Sequence, residues 1–295
     1  MLTLVEQPAR ETVLALRRAN RAVVSWNTTA PDGEIRVRVH RSDGTTSDAL
    51  PYARWAPHER RSFSASSGDV RVEVDVIASG EPFDALTVTT SVDLDAVAAT
   101  VPDGAPVVDA SADAPAVRVP LLSQFFAPFL GERGWCSATA TAMLLQAHGV
   151  DCDVTEAVRG VADAAYGGTG NWSFNVAFAG SRGLRAAVAY LRGVEHAGAF
   201  VRAGLPVALS IGWKDGELPG APLEQSAGHL LVLRGLDGDD AVVNDPAHPE
   251  VETRYPRADL DRVFRAHGGT AYLIAPRERT AELVALANGG AAPAR

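Results

Sequence analysis

Residues 119–150 read VPLLSQFFAPFLGERGWCSATATAMLLQAHGV. A Gly-Glu-Arg-Gly loop runs into Trp135 and then Cys136, one of only two cysteines in 295 residues. Ala138, Ala140, Ala142, Met143, Leu144, Leu145 and Ala147 are strong helix formers and Gly149 supplies a left-handed stop, so the stretch predicts a helix with Cys136 on its first turn. A thiol at that position sits near unpaired backbone N–H groups and the positive end of the helix dipole, which favour thiolate. The dipole contributes about 0.3–1 kcal/mol, less than one pKa unit, so a nucleophile also needs an imidazole. Without one, Cys136 is a small apolar core residue.

A candidate imidazole lies downstream. Gly228 to Gly235 (GHLLVLRG) and Ala241 to Asp245 (AVVND) flank Asp237-Gly238-Asp239-Asp240, which predicts a β-hairpin. His229 opens one strand and Asn244-Asp245 closes the other, so both lie at the same end of one strand pair. Thiol catalysis needs a thiolate, an imidazole and a group that orients the imidazole, and this hairpin offers the last two. Adjacent strand residues face opposite sides. An even loop therefore puts Asn244 on the His229 face, whereas an odd loop or a bulge puts Asp245 there. Gln124 is the candidate side chain for stabilising an oxyanion, with the Cys136 N–H as second donor. Trp135, Trp172 and Gly228 are the candidate substrate-binding residues, and Trp213 and Glu217 are further cleft-wall candidates.

The run VPLLSQFF…GWCSATATAML, then GNWSFN, FAGSRGL, GHLLVLRG and VVNDP, resembles the C39-like group of papain-fold cysteine peptidases over about residues 117–276. The resemblance implies a papain-like fold, Cys136 as nucleophile, His229 as base and acid, Gln124 at the oxyanion hole and Asp245 as orienter. In this group the Asp of the Asn-Asp-Pro segment stands where papain uses Asn. No transporter domain or export signal is visible, so the leader processing of transporter-linked members is not carried over.

The first hundred residues read differently. Ile35, Val37 and Val39 alternate with charged neighbours, as do Val70, Val72, Val74 and Val76, then Leu86, Val88 and Thr90. Turn clusters separate them at Pro31-Asp32-Gly33, Ser66-Ser67-Gly68 and Ser79-Gly80-Glu81-Pro82. This predicts an antiparallel β-sandwich over 1–94, with Trp26, Trp55 and Phe63 in its core or rim and an open role as a protein- or carbohydrate-binding module. Residues 95–116 have a linker's Ala/Pro/Asp composition, 117–280 form the catalytic domain, and 281–295 are a frayed tail. The expected fold class is α+β: a papain-like peptidase domain preceded by a sandwich.

Within 117–280, helices are expected at Val154–Ala164, Arg185–Arg192, Glu195–Ala203 and Asp259–Arg265, and strands at Pro206–Ile211 and Thr270–Ile274. The glycines of YGGTGNWSFN (166–175) lack a following Gly-Lys-Ser/Thr, so they predict a tight turn beside a cleft and not a phosphate loop.

Composition bounds the partners. The chain is 46 % hydrophobic and 21 % charged with a formal charge of −9, which argues against nucleic acid or an anionic membrane. Nearly all its basic residues are arginine, Lys214 being the sole lysine. Two cysteines make no disulfide framework. His196, His248 and His267 lack metal-ligand spacing, so no metal or other cofactor is expected. His40 and His58 read as surface residues, and His148 as a charge favourable to a helix C-terminus. With Glu6 and Glu11 inside the only apolar N-terminal stretch there is no signal peptide, and a bacterial cytoplasmic location is the default.

The leading function is a cysteine peptidase that hydrolyses a peptide or isopeptide bond in a peptide or protein substrate. The alternatives are a transglutaminase-like acyltransferase and a non-catalytic peptide-binding module.

Overall fold

A computed structural model describes residues 1–57, 59–102, 112–127 and 134–290. His58, the middle of the expected linker (103–111) and the last five residues of the expected tail lie outside the described residues.

The alternating N-terminal segments form β1 (Leu2–Glu6), β2 (Glu11–Asn27), β3 (Gly33–His40), β4 (Leu50–Trp55), β5 (Arg61–Ser67), β6 (Val70–Val74), β7 (Val76–Thr90) and β8 (Ala96–Thr100). They make one antiparallel sheet ordered β1-β8-β2-β7-β3-β4-β5-β6, and β6 also pairs with β7. The expected two-sheet sandwich is therefore replaced by a single sheet that closes on itself through the long strand β7. Closure pairs edges that would otherwise stay open.

Two local expectations fail for related reasons. Val70 to Val76 does not run as one strand, because the chain reverses at Val74-Asp75 and pairs Glu73 with Val76. Val74 takes φ 58°, a conformation that favours Gly or Asn in a two-residue hairpin turn and costs a β-branched residue about 1 kcal/mol or more. Ser79-Gly80-Glu81-Pro82 is not a turn; it is an irregular stretch inside β7, where the β2 register shifts. The expected linker begins as β8, whose five buried residues pair with β1 and β2.

The second half holds α1 (Cys136–Ala147), α2 (Val154–Val161), α3 (Trp172–Ser181), β9 (Arg185–Tyr190), α4 (Val194–Arg202), β10 (Val207–Trp213), β11 (Ser226–Asp237), β12 (Asp240–Asn244), β13 (Glu252–Pro256), α5 (Arg257–Ala266), β14 (Thr270–Ala275) and α6 (Thr280–Ala287). Its strands form an antiparallel sheet ordered β13-β12-β11-β10-β14-β9. One apolar core joins α1, α2, α3 and the N-terminal sheet to one face of it, and a second joins α4, α5 and α6 to the other. Arg185–Tyr190 is a strand and not the expected helix. Its Ala-rich sequence favours helix, but every residue of the segment is buried in the sheet, and tertiary burial overrides that preference. Part of the expected tail, likewise, is α6, which buries Leu283 and Leu286.

The two sheets meet along the edge of β9. Asn27 donates from Nδ2 to the Ala186 carbonyl (2.9 Å) and accepts the Ala186 N–H on Oδ1 (3.0 Å). Ser25 Oγ accepts the Val188 N–H (3.2 Å) and Thr100 Oγ1 the Tyr190 N–H (3.1 Å). Side chains from β2 and β8 thus satisfy backbone groups that an edge strand leaves open. Trp26 packs edge-on against Trp55, Tyr52 and Phe174 of α3, with centroids 5.9–6.4 Å apart. Trp55 is buried in this cluster and offers no exposed binding face. A Cβ on Gly180 would come within 2.6 Å of Asn27, so only glycine lets α3 sit this close to β2.

Candidate active site

Ten of the twelve residues of α1 are buried, so its hydroxyls must find partners within the fold. Thr139 and Thr141 bond back to the carbonyls of Trp135 and Ser137, and the Ser137 hydroxyl meets that of Tyr272 at 2.7 Å. A Ser/Thr-rich sequence can thus form a core helix, and its first residue is Cys136.

His229 comes to this helix start from β11, and parity decides which residue at the end of β12 meets it. The hairpin loop between Asp237 and Asp240 is two residues long, which alone would put Asn244 on the His229 face. A bulge between Leu233 and Gly235 reverses this. Asn244 pairs with Val232, on the opposite face from His229, and Asp245 turns to the His229 side. His229 Nε2 lies 2.7 Å from Asp245 Oδ1. Asn244 instead donates from Nδ2 to the carbonyls of Val119 (3.2 Å) and Pro120 (3.1 Å), fastening the segment that leads to Gln124.

With Nε2 engaged by Asp245, the other ring nitrogen of His229 is left for the Cys136 thiol, with which His229 is in hydrogen-bond contact. The Leu230 N–H also points at this sulfur, beyond the point where β12 stops covering β11. Burial by itself would push the thiol up, but the His229 charge and these hydrogen bonds outweigh it and hold Cys136 below the usual thiol range. Burial would depress His229; the Asp245 and Cys136 charges reverse that and push it up to about 10. Asp245 is fully buried, which favours its neutral form, yet His229, the Tyr255 hydroxyl (2.7 Å) and the Ala247 N–H (2.9 Å) hold it below the ordinary carboxylate range. The charges of the three groups thus support one another: the imidazole favours thiolate at Cys136 and carboxylate at Asp245, and both favour imidazolium at His229. Trp213 packs edge-on against the His229 ring, 5.7 Å between centroids.

Gln124 is buried beside the Asn244-Asp245-Pro246 segment. Its backbone N–H donates to the Pro246 carbonyl (2.9 Å), and its side-chain Oε1 has no hydrogen-bond partner. It is not among the residues lining the cleft. Trp135, Trp172 and Gly228 do line it, in a cavity of about 770 Å³ that opens at Cys136. Glu217 instead accepts the Lys214 N–H and helps shape a surface turn.

Two groups at the site were not foreseen. Tyr255 was invisible because no motif links β13 to the hairpin. Asp75 lines the cavity from the N-terminal sheet and accepts the Trp172 N–H at 2.6 Å, at the start of α3. Burial pushes its carboxyl up to about 7. The alternating pattern had placed Asp75 on an exposed strand face, and the reversal at Val74 turns it inward.

Other residues hold different places. Cys136 and Cys152 are both free thiols. His148 is not a charge on the helix dipole: Nε2 bonds the Ile274 carbonyl (2.9 Å), and burial lowers its pKa. His196 likewise packs inside, against the Leu286 carbonyl at 2.8 Å. Among the described residues there is no cluster of His, Cys, Asp and Glu able to hold a metal ion, and no helix is long and apolar enough to cross a membrane.

Similar solved structures include a C39-like peptidase from Bacillus anthracis, 20 % identical over 56 % of this chain and 98 % of that one, with a TM-score of 0.43. A double-glycine-motif protease from an AMS/PCAT transporter, solved in complex with the leader peptide, is 19 % identical over 55 % of this chain and 94 % of its own (TM-score 0.39). The peptidase domain of Streptococcus ComA, a bi-functional ABC transporter involved in a quorum-sensing pathway, is 18 % identical over 53 % and 98 % (TM-score 0.38). Comparison with curated proteins gave no match. The model of the peptidase C39-like family matches residues 117–272, which run from the strap before Gln124 through Cys136, His229 and Asp245 into β14, and the chain belongs to that family.

Proposed function

We propose that the protein is a cysteine peptidase that hydrolyses a peptide or isopeptide bond, with Cys136, His229 and Asp245 as its catalytic triad. The observation that carries this reading is the His229 imidazole, held by the Asp245 carboxylate at 2.7 Å and in contact with a thiol kept below its usual pKa. Each neighbour favours the charged form of the next, as thiolate chemistry requires.

In this reading the Cys136 thiolate attacks the scissile carbonyl carbon, and the electron pair moves to the carbonyl oxygen. The Cys136 N–H and the Gln124 side-chain amide are the proposed donors to that oxyanion. As the intermediate collapses, His229 gives its proton to the leaving amine and a thioester forms on Sγ. Water then adds to the thioester, His229 accepting its proton, and the acid leaves as the thiol is restored. Asp245 stays ionised throughout and fixes the ring. Trp135 and Trp172 are the proposed contacts for the substrate peptide, and Gly228 leaves its backbone open to it.

The test is to trap the native protein with a peptidyl electrophile and map the adduct. Labelling of Cys136 that persists well below pH ~8 and collapses in His229→Ala is expected; an unperturbed thiol near pKa ~8.5 would rule the reading out. Product analysis with and without an added primary amine separates hydrolysis from acyl transfer.

A further inference from the structure

The cavity at Cys136 is walled on one side by the N-terminal sheet, through Arg21, Glu73, Val74, Asp75, Val76 and Ala78. None of these lies in the stretch that matches the peptidase family. Opposite them is one face of the six-stranded sheet. The β11–β10 register sets Leu230 opposite Ser210. The β10–β14 ladder, continued by one residue, sets Ser210 opposite Thr270, and Thr270 pairs with Tyr190 on β9. Directly opposed residues point to the same face, so Leu230, Ser210, Thr270 and Tyr190 form a row leading away from Cys136. At about 4.8 Å per strand the row is about 14 Å long, the reach of roughly four extended residues.

The far end of the row is polar, and there Arg21 and His267 line the cavity. Thr270 Oγ1 is buried without a hydrogen-bond partner, and the Tyr190 hydroxyl faces the Arg21 guanidinium. Arg21 lies beside Tyr190 and near His267: burial pushes the Tyr190 hydroxyl up and the Arg21 charge opposes it, whereas burial and the Arg21 charge together lower His267. His267 fits there because residue 212 is glycine: a Cβ would come within 2.6 Å of Nδ1. The acids of the opposite wall are already engaged. Glu73 faces Arg71 at 3.8 Å, and Asp75 is held by backbone N–H groups at the start of α3. Arg21 has no carboxylate partner among the described residues, so it is the unmatched charge of the cleft.

We infer that Arg21 and His267, which line the cavity at the Tyr190 end of this row, form a subsite for a substrate carboxylate, either the C-terminal carboxylate of a short leaving-group segment or an acidic side chain. The inference rests on the reading of Cys136 as the reacting thiol for its place in the reaction, but not for the binding itself. The N-terminal sheet then acts as a specificity wall and not as an appended module.

Two measurements test it. Calorimetric titration of Cys136→Ala with acetyl-(Ala)n acids and the matching carboxamides, n from 1 to 4, reads binding without chemistry. One length is expected to favour the acid about tenfold, the order of one charge-assisted contact, with the preference lost in Cys136→Ala/Arg21→Gln and partly kept with Arg21→Lys. No acid preference at any length, or one indifferent to Arg21, overturns the subsite. An acetyl peptide amide ending in Asp separates the sources: binding as tight as the acid points to a side chain, and weaker binding to a chain terminus. Labelling of the wild type with bromoacetyl-(Ala)n acids and amides, in which Sγ displaces bromide, addresses the chemistry. Failure of both to label Cys136 rejects the thiol reading, while the titration still decides the subsite.

Discussion

Cys136 and Cys152 are both free and both hidden from solvent, 9 % and 0 % exposed, yet their surroundings push them in opposite directions. Around Cys152 burial and the nearby charges of Glu156, Asp153 and Asp151 outweigh the Arg182 charge, and the thiol is pushed up to about 12. Its Sγ–H merely donates to the Asp153 carbonyl at 3.4 Å. Around Cys136 burial acts in the same sense, but His229 reverses the outcome. Depth alone does not set a thiol's pKa; what decides is whether a close cation outweighs burial and the neighbouring anions, as His229 does at Cys136 and Arg182 does not at Cys152. Buried carboxylates repeat the contrast. Asp245 is held low by His229 and Tyr255, whereas Asp75, met by backbone amides alone, rises to about 7.

The most direct way to break this contrast is His229→Ala. Iodoacetamide labelling of native Cys136 at pH 7 is expected to fall about 10²–10³-fold, toward the behaviour of Cys152, which should label only on unfolding. Mass-spectrometric rates for both sites in one sample provide the check.

The pH profile sharpens the contrast next. A lowered thiol keeps its thiolate below the usual range, while the imidazolium that the proposed reaction needs for the leaving amine disappears only as pH rises through about 10. Peptide hydrolysis should therefore hold a plateau across neutral pH and fall on the alkaline side near 10.

Changes at Asp245 are expected to be milder. Asparagine still offers an oxygen to Nε2–H but no charge, so Asp245→Asn should cost about tenfold in kcat/KM and draw the alkaline limb downward. Tyr255→Phe removes one hydrogen bond from Asp245 Oδ2 and should cost a few-fold, with the limb moving upward as the carboxylate becomes more basic.

The smallest effect is on stability. The Asp75 carboxyl is raised in the folded state, so its contribution is fully present below about pH 4 and is lost as pH climbs through about 7. Asp75→Asn should shrink the fall in Tm between pH 5 and pH 8 by a few degrees, and an unchanged slope would place the carboxyl outside the interface between the two sheets.

Much of this was legible along the chain because local rules governed it. The helix from Cys136, the His229 hairpin and strands such as Val207–Trp213 follow from propensity, turn residues and apolar runs. Arg185–Tyr190 was misread because its alanines favour helix in isolation and its role as a buried edge strand depends on Asn27, Ser25 and Thr100, about 90 to 160 residues away. Val74-Asp75 was misread because a β-branched residue at positive φ breaks the turn rules, and only the surrounding pairing of β6 and β7 maintains it.

The sequence by itself determined which groups were available for chemistry: one thiol at a helix start, one imidazole opening a hairpin and an Asn-Asp pair closing it. Only the tertiary structure decided between Asn244 and Asp245, since a one-residue bulge reverses every side chain beyond it and no local preference marks where it falls. It alone also turned the first hundred residues into a wall of the Cys136 cleft, because which surface covers an open strand edge depends on packing between distant segments and not on the residues of either one.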